Sequence, residues 1–220
     1  MTQVYEELRI DRPVRTSISN KNLLRRGVPK QLLDISLGDL NSFDDPDREK
    51  VILFVKKYIK HIPYNFRNNQ GIMLYGSNGV GKSFIATLIV KYAYIFRYTS
   101  KRCTYMEYIS EYTRMWGCKN PQEKEELEEL FYRNYKAVEF LCLEEIGKEL
   151  DTKLAPTVLE DLLRYREEKG LVTIICTNLN PSDLSTKYGN SIMSLIKGNC
   201  TPIKLVGEDK RREVFKERVD

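Results

Sequence analysis

The stretch Gly71-Ile72-Met73-Leu74-Tyr75, followed by Gly76-Ser77-Asn78-Gly79-Val80-Gly81-Lys82-Ser83, decides the fold. The first part is a short apolar run bounded by glycine, which reads as a buried strand; residues 82–98 repeat apolar positions at helical spacing. The residues between fit G-x-x-x-x-G-K-[ST] and stand where that pattern has a mechanism, directly after a strand and directly before a helix. Glycines let the backbone wrap around phosphates with its N–H groups turned inward, and the helix N-terminus adds positive potential. Lys82 supplies a full charge to the outer phosphates, Ser83 is placed to ligate Mg2+, and Phe84 closes the set. A glycine-rich turn that binds nothing is the plainer alternative, and the strand and helix on either side weigh against it. The Asn-Lys-x-Asp segment expected of many GTPases does not occur downstream, which favours ATP over GTP.

Working outward, further strands are expected at 103–106, 137–143, 171–177 and 202–206, with helical segments in the gaps between the first four. Such alternation implies an α/β fold with a parallel sheet. Residues 47–61 read as an amphipathic helix that packs on the sheet. The segment 108–135 ends in a strongly acidic stretch, Glu123-Lys124-Glu125-Glu126-Leu127-Glu128-Glu129, a poor surface for nucleic acid. Residues 157–168 form a Leu-rich helix with Gly170 as its stop. Residues 1–26 read as an N-terminal arm and a possible partner contact, and 27–220 as the main domain.

Two more polar features complete the constellation. Glu144-Glu145 stand where the apolar run 137–143 gives out, at the sheet edge where ligands bind. One carboxylate there can hold hydrated magnesium and the next can polarise the water that attacks the γ-phosphate, so Glu144 is assigned to the metal and Glu145 to the water. A solvated Glu pair capping a strand is the alternative. Asn178 ends the run 171–177 and is assigned to the γ-phosphate or its attacking water, although an Asn in that place is by itself a common turn-former.

Composition sets the outer limits. With 41% hydrophobic and 30% charged residues, the chain can bury one core and keep a charged exterior, which excludes a disordered or fibrous protein. The 36 Lys+Arg against 31 Asp+Glu leave +5, which suits a polyanion without amounting to a basic coat. No apolar run approaches the roughly 20 residues that cross a bilayer, and no secretion signal opens the sequence, so no membrane and a cytoplasmic location are expected. The 5 cysteines are scattered without a C-x-x-C pair and read as reduced thiols. The single histidine, His61, is given no function.

The order of these motifs resembles the AAA+ ATPases, and within them the DnaC/DnaI-type replicative-helicase loaders and the IstB-type transposition ATPases. The resemblance is carried by Gly27-Val28-Pro29, the run from Gly71 to Ser83, Leu143-Glu144-Glu145-Ile146-Gly147, Arg164-Tyr165, Thr173 to Leu179, and Gly207-Glu208-Asp209-Lys210-Arg211. It implies a P-loop NTPase three-layer sandwich with a five-stranded parallel sheet of order 5-1-4-3-2 and no C-terminal helical lid. It also implies ATP at the subunit interfaces of a homo-oligomer, with DNA, single-stranded in the favoured reading and duplex in the alternative, and a replicative helicase as partners; phage or mobile-element origin suits so compact a chain. The sequence departs from the pattern in having Glu144 where Asp is usual, and Leu195 where a trans-acting arginine finger aligns, both of which point to slow hydrolysis. Lys187, Lys197 or Arg211 are candidate substitutes for the finger, and Lys101-Arg102, Arg114 and Lys119 candidate DNA contacts. Three readings remain open: a helicase loader, an IstB-like ATPase forming filaments on DNA, and a nucleotide-bound adaptor that does not hydrolyse.

Overall fold

A computed structural model of the chain describes residues 14–15, 17–41, 46–149 and 153–207. Helix α1 (Asn20–Arg25) and two 3-10 turns (Lys30–Leu32 and Leu37–Asn41) lead to α2 (Pro46–Lys60) and the short α3 (Ile62–Arg67). The alternation follows: β1 (Gly71–Tyr75), α4 (Lys82–Ile95), β2 (Ser100–Thr104), α5 (Tyr105–Gly117), α6 (Pro121–Phe131), a π-type turn (Tyr132–Lys136) and β3 (Phe140–Ile146). After these come α7 (Leu154–Glu168), β4 (Val172–Thr177), α8 (Pro181–Tyr188), α9 (Asn190–Asn199) and β5 (Cys200–Lys204).

All strands pair in parallel in the order β2-β3-β4-β1-β5, which is the expected order read from the other edge. The period-two alternation of the strands divides the core in two. Ile72, Leu74, Phe140, Cys142, Ile174 and Cys176 pack on one face with α2, α3 and α4, whereas Met73, Leu141, Leu143 and Ile175 pack on the other with α5, α7, α8 and α9. Helices thus cover both faces, giving the three-layer sandwich. The described part of the N-terminal segment joins the first core through Leu23 and Val28.

Element boundaries depart from expectation where capping chemistry intervenes. Strand β2 runs 100–104 instead of 103–106 because Thr104 begins a helix: its hydroxyl accepts the Glu107 N–H at 3.1 Å while the Glu107 carboxylate accepts the Thr104 N–H at 2.6 Å. Helix α4 stops at Ile95, short of 98, as Arg97 turns to a φ of 67° and the Tyr98 N–H reaches back to the Ala93 carbonyl at 3.0 Å. The segment 108–135 breaks in two because Asn120 caps a new helix through the N–H groups of Gln122 and Glu123, with Pro121 in its first turn. Helices α8 and α9, between β4 and β5, had no counterpart among the expected elements. All five cysteines are free thiols, four of them buried and Cys118 half-buried.

The edge of the sheet away from the cleft described below is fixed by Arg166 of α7, which is fully buried. Its guanidinium donates to the Thr173 hydroxyl and to the carbonyls of Lys136, Val138 and Val172, tying the π-type turn, the entry to β3 and the start of β4 to one helix. Burial in these surroundings lowers its pKa to about 9.

Candidate nucleotide site

A cleft of about 810 Å3 opens at the C-terminal ends of the strands. The loop from β1 to α4 forms its floor, and Gly81, which enters α4 at a φ of 99°, takes a left-handed conformation that a side chain would strain. The Lys82 ammonium curls over the loop and donates to the carbonyls of Gly76 at 2.7 Å and Ser77 at 2.6 Å. Arg48, from α2, donates to the Val80 carbonyl at 3.2 Å and closes one side. Asn78, Gly79, Val80, Gly81, Lys82, Ser83 and Phe84 all line the cleft; Gly76 and Ser77 lie in the turn beneath it.

The two acids do not follow a finished strand, as the sequence suggested, but lie within it. Strand β3 continues to Ile146 and shifts register against β4 between Leu143 and Ile146, so an extra residue bulges there. The bulge sends neighbouring carboxylates different ways. Glu144 is buried at 4% exposure, and the Ser83 hydroxyl donates to its Oε2 at 3.2 Å. Glu145 is exposed, adopts a φ of 60°, and receives the Lys148 ammonium at 2.8 Å. A left-handed residue other than glycine costs on the order of 1 kcal/mol, and such strain concentrates at functional positions. Asn178, at the exit of β4, donates through Nδ2 to the Asn78 side-chain oxygen at 3.0 Å, so that strand end and phosphate loop are joined directly.

One residue of the cleft was misread from sequence. Arg102, which the sequence offers as a candidate DNA contact, has a side chain only 15% exposed and turns into the cleft against Glu144. Its Nε donates to Oε1 at 3.0 Å, and its Nη2 makes a second bond to Oε2. Burial pushes the Glu144 carboxyl up, while Arg102 and Ser83 pull it back. The β2–β3 register was the missing signal: Thr104 pairs with Glu144, so Arg102, two residues earlier, projects from the same face. Arg114 and Lys119 are exposed, Arg114 pairing with Glu111 at 3.4 Å.

The finger alignment also changes meaning. Leu195 is buried at 8% exposure among the residues that pack α9 on the sheet, so that position faces the core. Lys187 donates to the Gly147 carbonyl at 3.1 Å and lies 3.4 Å from Glu149, next to this chain's own β3 end. Lys197 lines a separate cleft beside Tyr64 and Asn199. Arg211, with the motif residues 208–210, lies outside the described residues.

Apolar side chains, Pro29, Leu32, Leu40, Ile52 and Leu205, also line the cleft, with Gln31 and Asp39 between them in sequence. The cleft thus combines amides, cations and carboxylates suited to phosphates with apolar surface suited to a flat base. The donor set fits magnesium through Ser83 and Glu144: the hydroxyl can give a lone pair to the ion while still donating to the carboxylate. A bound Mg2+ would supply charge stabilisation between phosphate oxygens.

No protein-family model matches the chain. The replicative helicase loader DnaI of Bacillus subtilis (strain 168) is 28% identical over 199 residues, covering 84% of this chain and 58% of that protein. The chain thus corresponds to little more than half of that relative's length. Among solved structures, the DnaC helicase loader superposes with a TM-score of 0.68 at 18% identity, over 81% of this chain and 100% of the other. AMPPCP-bound DnaA from Aquifex aeolicus superposes with a TM-score of 0.63 at 14% identity, over 87% of this chain and 56% of the other. At such identities the two superpositions speak for the fold alone, a three-layer sandwich around a parallel sheet. No helix among the described residues is long and apolar enough to cross a membrane.

Proposed function

We propose, from the homology of this chain to the DnaI and DnaC helicase loaders, that it is an ATP-dependent DNA-replication accessory protein which loads or remodels a replicative helicase. The observation that carries the reading is convergence: the phosphate loop, the Ser83–Glu144 pair and the Asn78–Asn178 bond meet at one end of a single cleft. Loop amides and Lys82 hold the phosphates of ATP, and Ser83 with Glu144 holds Mg2+. Glu145 orients the attacking water, and Asn178 reports the γ-phosphate to the loop it already touches. The working form is a cytoplasmic homo-oligomer with ATP at subunit interfaces and single-stranded DNA as its second ligand.

The test is to mix the chain with a hexameric replicative helicase and single-stranded DNA, with and without ATP, and to measure complex mass by light scattering. A complex that forms only with ATP supports the reading. No complex in any nucleotide state refutes it, and a filament formed on duplex DNA alone favours the transposition-type relative.

A second reading, a nucleotide-bound adaptor without turnover, is favoured by the Arg102–Glu144 pair and by the buried Leu195. Glu145→Gln decides between them. In an ATPase it lowers turnover by about 100-fold or more, the scale of a lost general base, and leaves nucleotide affinity within about threefold. In an adaptor, wild type and variant share the same background rate.

A further inference from the structure

We propose that Arg102 is a resident counter-cation of Glu144 that competes with magnesium, so that this chain binds nucleotide with little help from the metal and holds the metal weakly. The proposal rests on the cleft being a nucleotide site.

The guanidinium grips the carboxylate with two parallel bonds, and its third nitrogen, Nη1, donates to the Gly27 carbonyl at 2.9 Å. All three nitrogens therefore have acceptors. On the carboxylate, Oε2 already receives both Arg102 and the Ser83 hydroxyl, which uses both of its lone pairs, and Oε1 has one left. Cys142 and Cys176 have their sulfurs within 4.8 Å of a Glu144 oxygen and bring no positive charge, whereas Arg102 balances this acid from within the cleft.

The arginine is also held in place. Its own N–H donates to the Arg26 carbonyl at 2.7 Å. Gly27 packs so tightly that a Cβ there would stand 1.9 Å from the Arg102 carbonyl oxygen, at a backbone φ of +80°. A dication shared by Ser83 and Glu144 must therefore approach a positive charge that the strand and the Gly27 segment hold fixed. The guanidinium and Lys82 both line the cleft, so both would place positive charge near bound phosphates, the electrostatic work that magnesium does elsewhere. A plain strut between β2 and β3 would have the same hydrogen bonds but would leave metal dependence ordinary, and this separates the two roles.

The experiment titrates a fluorescent ATP analogue into the full chain in EDTA and across a magnesium series, for wild type, Arg102→Gln and Arg102→Lys. Wild-type affinity is expected to change less than about threefold between EDTA and saturating magnesium. Arg102→Gln loses about tenfold in EDTA and regains it at a magnesium half-saturation about tenfold below that of wild type, the scale of one partly screened charge at close range. Arg102→Lys, with charge but no fork, falls between. Wild-type binding that improves more than tenfold with magnesium overturns the proposal, as does an Arg102→Gln profile identical to wild type. Should the glutamine variant fail to fold, the wild-type comparison decides alone. Absence of nucleotide binding in every condition refutes the site itself, a different failure from the loss of competition.

Discussion

Replacing Arg166 by methionine removes four hydrogen-bond donations at once while keeping most of the side chain's volume. The acceptors left behind are the Thr173 hydroxyl at 2.9 Å and the carbonyls of Lys136 at 3.1 Å, Val138 at 2.9 Å and Val172 at 2.6 Å. Three of these acceptors are buried and the Lys136 carbonyl is part-buried; at about 1–3 kcal/mol for each buried acceptor left unpaired, the gross loss is about 3–9 kcal/mol. Removing a fully buried cation also returns part of its own desolvation cost, which burial has already expressed by lowering its pKa to about 9. A net destabilisation of about 3 kcal/mol is expected. For a domain of this size that corresponds to a Tm drop of roughly 10 °C, read by circular dichroism at fixed concentration. Arg166→Lys should recover only a minor part, since an ammonium cannot fan out to the same four acceptors. A methionine variant within about 1 kcal/mol of wild type would refute the claim that this residue fixes the lower edge of the sheet.

Two further outcomes follow from the cleft and from α9. Lys82→Ala should weaken binding of an ATP analogue by about 100-fold or more in isothermal titration, with Tm within a few degrees of wild type; unaltered binding would mean that the phosphates lie elsewhere. Leu195→Arg, the substitution that would seem to restore a finger, should instead lower Tm by more than about 10 °C in a thermal melt, because it drives an unpaired cation into the core; a folded, more active variant would contradict the packing.

The sheet was legible in the sequence because its signals are local and redundant: Gly71 to Ser83 carries a strand, a phosphate loop and a helix start in one unbroken run. Strand order came with the family resemblance and not from the residues themselves. What stayed hidden depends on register and on competition at element ends. Nothing in the alternation around Cys103 says that Thr104 will leave the strand to cap a helix, since the capping box with Glu107 outweighs the apolar pattern that continues through Met106. The bulge that separates Glu144 from Glu145 is a relation between two strands, invisible in either alone. Arg102 was misjudged for the same reason: a charged residue in a strand looks like surface until the ladder shows that a buried acid, Glu144, stands two places beyond its partner Cys142 on the same face. Leu195 aligned with a finger only as a letter, and its helical face was set by α9 packing on the sheet.

The apolar lining of the cleft is not made by the sheet alone, for Pro29, Leu32 and Leu40 belong to the segment that precedes α2. Any protein that seizes this segment and draws it outward removes part of the cleft's lining, so a ligand held in the cleft would feel that grip as a change in affinity. Reciprocity then requires the converse: a ligand held there would stiffen the handle and alter how firmly the visitor holds on.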